Sequence, residues 1–217
     1  MSKIAVQFEK VSFDQFRKDF IKSGMGKDDL RSDEDFEKWI KKIYEDIPIP
    51  KRATGGSAGY DFVLPFSISM TPNTSLVIPT GIRAYFDKDS SDYGLFIFPK
   101  SGLGFKYNLA LSNTVGVVDS DYYGSSNEGH IMIKLSYQPV NTLCVSESSQ
   151  NPWNPANNGY DNPVSTVPEM YFQQDRIFSL ERGKKFAQGI FLPFAVSIFD
   201  EDVLAVRDGG FGSTENK

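Results

Sequence analysis

The chain has 217 residues, 40% of them hydrophobic and 24% charged, with a formal net charge of −5. This is the composition of a globular protein of one large or one and a half ordinary domains, and its acidic balance disfavours direct binding to the nucleic-acid backbone, which wants a basic face. One cysteine, Cys144, excludes an internal disulfide, and one histidine, His130, excludes a His/Cys metal cluster and leaves at most one candidate for histidine-based nucleophilic catalysis.

No signal peptide opens the sequence and no apolar run is long enough to span a membrane, so a cytoplasmic protein is expected. Residues 3–11 alternate well enough for a short strand. Ser12-Phe-Asp-Gln15 reads as a capping box, with Gln15 three residues after the cap. Phe13, Phe16, Phe20 and Ile21 then fall on one helical face, and Gly24 stops the run. Ser32 with Asp35 caps a second helix, in which Phe36, Trp39, Ile40, Ile43 and Tyr44 follow at helical spacing until Pro48. Both stripes read as packing surface rather than as a ligand box. Residues 1–46 are thus a helical appendage, too small to bury a core of its own, which must dock elsewhere, on residues 47–217 of the same subunit or bridging two.

After Pro50 the pattern changes to short β-rich runs punctuated by Gly, Pro, Ser and Asn. The predicted strands are Tyr60–Leu64, Ser75–Ile78, Ile82–Phe86, Gly94–Phe98, Leu109–Leu111, Val115–Val118, Ile131–Tyr137, Lys185–Phe191 and Val196–Phe199. Many short strands with no helical pattern between them predict an all-β jelly roll or barrel. Ser146–Pro168 has prolines at 152, 155, 163 and 168, which exclude a central strand and mark a long excursion. Trp153 and Tyr160 are expected to pin it down by packing; binding a protein partner is the sharper alternative.

Five segments carry chemistry. Gly55-Gly-Ser-Ala-Gly-Tyr-Asp61 lets the backbone approach a neighbour closely, with Asp61 able to hold a metal-bound water; alone, it is a turn. Phe98-Pro-Lys-Ser-Gly-Leu-Gly104 gathers a cation, a hydroxyl and N–H donors suited to phosphate; alone, it is a loop. Leu111–Gly124 reads as strand, tight turn, strand: a hairpin whose backbone can face a flat polar ligand, with Asp119 at the tip to take a proton from water. Its plainer reading is an acidic turn on the surface. Gly183-Lys-Lys-Phe-Ala-Gln-Gly-Ile190 enters a strand with Gln188, an amide that both donates and accepts. Arg207-Asp-Gly-Gly-Phe-Gly-Ser-Thr214 is a Gly-rich tail that a ligand would order.

In this order, the five segments closely resemble the five motifs of the trimeric dUTPase family, over about residues 50–135 and 180–217. The resemblance implies a jelly-roll β-barrel subunit with the appendage 1–46, an insert at about 136–178 and a flexible tail at 207–217. It implies a homotrimer with shared active sites that hydrolyses dUTP to dUMP and pyrophosphate with Mg2+. In this reading Asp119 activates the attacking water. Asn113, with Gly116, Val117 and Val118, reads uracil beside Met132. Tyr122 packs under deoxyribose, where it leaves no room for a 2′-hydroxyl, and Phe211 covers the base. Lys100, Ser101, Gly102, Gln188, Arg207, Ser213 and Thr214 hold phosphate, and Asp61 sits near the magnesium through water.

Three departures from the family pattern stand out. Lys100 replaces the usual Arg of the second motif, keeping the charge without the planar fork. The tail is one residue short between Arg207 and its glycine pair. Ser125–Gly129 interrupts the run after Gly124, and the longer insert follows, as in phage members of the family. This raises a second role, a nucleotide-gated regulatory trimer that binds a protein partner such as a repressor through the insert; a phage-encoded chain would work in the host cytoplasm. A dCTP deaminase of the same fold is disfavoured, since that chemistry uses a glutamate at the hairpin where this chain has Asp119.

Overall fold

Period-two burial organises the strands of the computed structural model, which describes residues 5–26, 31–139 and 177–197 together with the backbone of two short strands at 153–154 and 159–160. In Met132–Tyr137, for example, Ile133, Leu135 and Tyr137 face inward while Lys134 faces water. The elements run β1 (Val6–Lys10), α1 (Phe13–Lys22), α2 (Asp33–Glu45), β2 (Lys51–Arg52), β3 (Tyr60–Val63), β4 (Ile68–Met70), β5 (Thr74–Pro79), β6 (Ile82–Phe86) and β7 (Tyr93–Pro99). Then follow α3 (Ser101–Tyr107), β8 (Leu109–Leu111), β9 (Gly116–Val118), β10 (Met132–Tyr137), β11 (Trp153–Asn154), β12 (Gly159–Tyr160), β13 (Phe178–Leu180) and β14 (Lys185–Pro193).

An antiparallel five-stranded sheet has the order β2-β3-β14-β7-β9, and a three-stranded sheet the order β5-β10-β8. Two-stranded ladders join β1 to β6, β4 to β13 and β11 to β12. One apolar cluster draws on both larger sheets and both long helices. This is a jelly-roll arrangement of open sheets; among the described residues the ladders do not close into one ring.

The N-terminal segment joins the same core. β1 pairs with β6 from Val6↔Phe86 to Lys10↔Ile82. Phe16, Phe20, Ile40 and Ile43 are buried, and the Phe20 ring meets Phe66 edge-on at 5.3 Å. The Lys10 ammonium donates to the carbonyls of Tyr44 and Glu45, both at 2.9 Å, where the α2 dipole is negative. Ile21, expected on the apolar face, is instead 42% exposed. Gly81 has φ +73°, the left-handed region that favours glycine, and a Cβ there would lie 2.5 Å from Ile47 Cδ1 and displace the tip of that side chain.

Only half of the expected capping box forms at Ser12. Its Oγ accepts from the Gln15 N–H at 3.1 Å, but the Gln15 amide turns to Asp19 Oδ2 at 2.7 Å. The Ser12 N–H and Oγ both donate to the Glu128 carboxylate, at 2.7 and 2.6 Å. At α2, Ser32 Oγ accepts from the Asp35 N–H at 3.2 Å, as its spacing predicts. His130 completes the joint with no exposed surface. Its Nε2 accepts from the Gly81 N–H at 2.8 Å, so the proton sits on Nδ1, which donates to Asp19 Oδ2 at 2.7 Å. Both nitrogens are engaged in holding the fold, which removes His130 as a nucleophile.

Six elements lie beyond the predicted set: β2, β4, β11, β12, β13 and α3. The five strands are two or three residues long, too short to show a period. Ser101–Tyr107, expected as a loop, has two glycines and no buried face; it is a helix ended by Asn108 in the left-handed conformation, φ 52°. Val196 and Ser197 lie outside any strand. The expected packing of Trp153 and Tyr160, most of the insert at 136–178, and the tail at 207–217 lie outside the described residues; β11 and β12 pair Trp153 with Tyr160 in register.

The docking of the helices is testable by substitution and by pH. Phe16→Ala leaves a cavity between α1 and the sheets and lowers stability by about 3–5 kcal/mol in urea denaturation. Burial works to raise the Asp19 carboxyl, but hydrogen bonds from His130 and Gln15 outweigh it and hold Asp19 below the ordinary carboxylate range. Its contribution is therefore full above about pH 4 and is lost as pH falls through its lowered value. Urea midpoints measured from pH 5 to pH 3 fall less steeply in Asp19→Asn than in the parent.

Candidate active site

The hairpin expected over Leu111–Gly124 does not form: Gly116–Val118 runs past Asp119 into a 3₁₀ turn at Ser120–Gly124 rather than a returning strand, and Leu109–Val118 divides between two sheets. Leu109–Leu111 bonds to β10, while Gly116–Val118 bonds to β7 in the other sheet. Buried Leu109 and Leu111 pull one arm into the first sheet, and buried Val118 pulls the other into the second. The reversal is made by local turns: the Thr114 N–H donates to the Leu111 carbonyl at 3.0 Å and the Val115 N–H to the Asn113 carbonyl at 2.6 Å. Thr114 takes φ 65°, a left-handed conformation unusual for a β-branched residue.

The gap between the diverging arms is a cavity of about 220 Å³. Asn113, Gly116, Val117, Val118, Tyr122 and Met132 line it, with Ile97 and Ile131 at the apolar side. Every residue expected to meet the base or sugar thus lines one cavity, except Phe211, which lies outside the described residues. Gly116 allows a close approach: a Cβ there would stand 3.2 Å from Ile97 Cβ and press on it. β9 is an edge strand of its sheet among the described residues, so one side of its backbone faces the cavity region without a ladder.

Asp119 directly follows the cavity wall. It is half-buried and precedes a 3₁₀ turn over Ser120–Gly124. Its carbonyl accepts from the Tyr122 N–H at 3.1 Å, and its carboxylate makes no capping bond to that turn. Tyr122 is buried, and its hydroxyl donates to the His130 carbonyl at 3.1 Å.

The phosphate candidates form a second group at the β3–β14–β7 end of the larger sheet. Asp61 pairs in register with Gln188, and the Lys100 N–H donates to the Phe186 carbonyl at 3.0 Å. Lys100 Nζ donates to Asp61 Oδ1 at 2.6 Å, and Lys185 Nζ lies 2.6 Å from Oδ2 as an ion pair. Burial works to raise the Asp61 carboxyl; the two ammonium groups outweigh it and hold the acid ionised to lower pH. Gln188 crosses Gly59, where a Cβ would stand 2.9 Å from the amide oxygen. Ser101 and Gly102 are exposed on the first turn of α3, next to Lys100. None of this group lines the cavity.

Lys185 joins this group without having been expected from the sequence. Lys184 and Lys185 are adjacent cations, and only the register of β14 shows which one reaches Asp61. Asp61, expected near the magnesium through water, has both oxygens facing ammonium groups, that of Lys185 at the start of the adjacent β14 and that of Lys100 just after β7. Among the described residues no three His, Cys, Asp or Glu side chains stand close enough to share a metal ion. The described residues therefore do not fit a resident magnesium site. Arg207, Ser213 and Thr214 lie outside them.

The family model for dUTPase matches residues 45–139. The deoxyuridine 5′-triphosphate nucleotidohydrolase of Lactococcus lactis subsp. lactis is 33% identical over 181 residues, covering 82% of this chain and 95% of that protein. The enzyme of the same name from Cronobacter sakazakii is 29% identical, covering 81% and 92%. Among solved structures, a mutant of the dUTPase of Staphylococcus phage 80alpha covers 98% of this chain and 99% of its own at TM-score 0.50 and 15% identity, a likeness of fold. The identity and coverage of the Lactococcus relative, together with the family match across both strand β3 and the segment that parts the two sheets, establish that this chain belongs to the dUTPase family.

Proposed function

We propose that the protein hydrolyses dUTP to dUMP and pyrophosphate. The observation that carries this reading is the cavity in which Asn113, Gly116, Val117, Val118, Tyr122 and Met132 meet, with Asp119 as the next residue after its β9 wall. Uracil lies against the edge of β9, bonding its backbone and the Asn113 amide. Cytosine carries an amino group where uracil carries a carbonyl, so it leaves a buried group unpaired, a mismatch that enzymes reject strongly. The sugar rests on the Tyr122 ring, which leaves no room for a 2′-hydroxyl.

The Asp119 carboxylate takes a proton from water, the resulting hydroxide forms a bond to the α-phosphorus, and the bond to the bridging oxygen breaks to release pyrophosphate. The triphosphate enters with magnesium as part of the substrate, which offsets the charge that repels the nucleophile. Lys100, Lys185, Gln188, Ser101 and Gly102 form the phosphate-binding group, acting by fixed charge and N–H donation. Asp61 orients the two lysines rather than a metal. The phosphate group does not line the cavity of its own chain, so a homotrimer supplies it from neighbouring copies, and Phe211, Arg207, Ser213 and Thr214 close the site from the tail. A partner-gated regulatory role for residues 146–168 has no support among the described residues.

In a panel of dUTP, dCTP, dTTP and UTP with magnesium, pyrophosphate release is expected from dUTP, and the other three are poor substrates. Asp119→Asn lowers kcat by about 10²–10⁴-fold while dUTP binding, read by calorimetry, persists. Light scattering gives the mass of three chains. A monomer, or an Asp119→Asn protein that turns over at the parent rate, refutes this assignment.

A further inference from the structure

The loop Ser125–His130 follows the 3₁₀ turn of the candidate site and folds back over it. Glu128 and Gly129 take φ 59° and 69°, and a Cβ on Gly129 would stand 2.8 Å from Tyr123 Cα, so the loop lies directly on the turn. Asn127 is at its centre. Its Nδ2 donates to the Tyr122 hydroxyl at 2.8 Å and to the His130 carbonyl at 3.3 Å. The Tyr122 hydroxyl donates to the same carbonyl, closing a three-membered network. The amide is itself fixed: Ser125 Oγ donates to Asn127 Oδ1 at 2.6 Å, and the His130 carbonyl, which can only accept, requires the nitrogen at the other end. Glu128 and His130, on either side, are tied to Ser12 and Asp19 of the N-terminal segment.

From this geometry we infer that Asn127 is a positioning residue for sugar selection: by holding the Tyr122 hydroxyl, it fixes the ring that excludes a 2′-hydroxyl. The inference rests on the proposed function. Tyr122 lines the cavity, and its hydroxyl is held by Asn127 and the His130 carbonyl, neither of which lines it. The buried ring is already confined by packing, and its hydroxyl bonds fix how deep it sits along the cavity wall, where a displacement of a fraction of an ångström opens space for one oxygen atom. The hydroxyl network removes that freedom. Because the loop is itself bonded to α1 and its cap, the N-terminal segment acts on sugar choice without touching the nucleotide. Asn127 meets no substrate atom in this scheme; it acts only through Tyr122.

The test compares kcat/KM for dUTP and UTP in the parent, Asn127→Ala and Ser125→Ala, each as the full chain, with thermal midpoints recorded alongside. Losing one hydrogen bond of this kind is expected to lower the dUTP-to-UTP ratio by about three- to tenfold. The change appears mainly as improved UTP turnover, with the KM for dUTP near that of the parent; a general loss of folded protein would lower both rates and leave the ratio alone. Ser125→Ala frees the amide to rotate and moves the ratio in the same direction, and it decides the matter if Asn127→Ala does not fold. A parent that discriminates, with folded variants that discriminate equally well, overturns the role of Asn127 alone. A parent that does not cleave dUTP overturns the proposed function and this inference together.

Discussion

Everything at the candidate site depends on the parting of one short segment between two sheets. Leu109–Leu111 and Gly116–Val118 are close neighbours in sequence, yet each is held by a different partner strand. A hairpin would have paired the two arms with each other and left no gap between them. Divergence instead opens a cavity and leaves an edge of β9 toward it. The left-handed Thr114 is the local strain of holding that arrangement, and Gly116 lets the backbone run close to Ile97 without side-chain crowding.

Charge at the phosphate candidates is arranged around one buried acid, Asp61. Asp61 is enclosed, yet its two lysine neighbours remain partly exposed, 32% and 49% by side chain. A lone buried carboxylate would be strongly unfavourable, and two free lysines would be mobile. Together they make a fixed cluster with a net positive charge, poised at the solvent boundary. Lysine suits this task better than its departure from the family's usual arginine implies, because a compact ammonium fits between a carboxylate oxygen and solvent while arginine's strength lies in planar bidentate contacts.

The sequence is most informative where periodicity or a special residue controls structure. The apolar stripe of Phe16, Phe20, Ile40 and Ile43, the caps at Ser12 and Ser32, and the alternation of Ile131–Tyr137 are all legible, because each rests on local geometry. The base and sugar candidates are legible through their resemblance to a family. What is hidden depends on partners distant in the chain. Nothing near Leu111 reveals that its strand leaves Val118 for another sheet. Nothing near Lys185 says that it, and not Lys184, meets Asp61. Gln15 has the spacing of a capping-box partner, but its amide is drawn to Asp19, the acid held by the buried His130 from 111 residues away.

The open flank of β9 has a further consequence. Val117 is 58% exposed there, on a strand with a free side among the described residues. Such a flank is a template onto which a foreign strand can add. Uracil seated along it, as proposed, would use the same donors and acceptors, so base and added strand would compete for one edge.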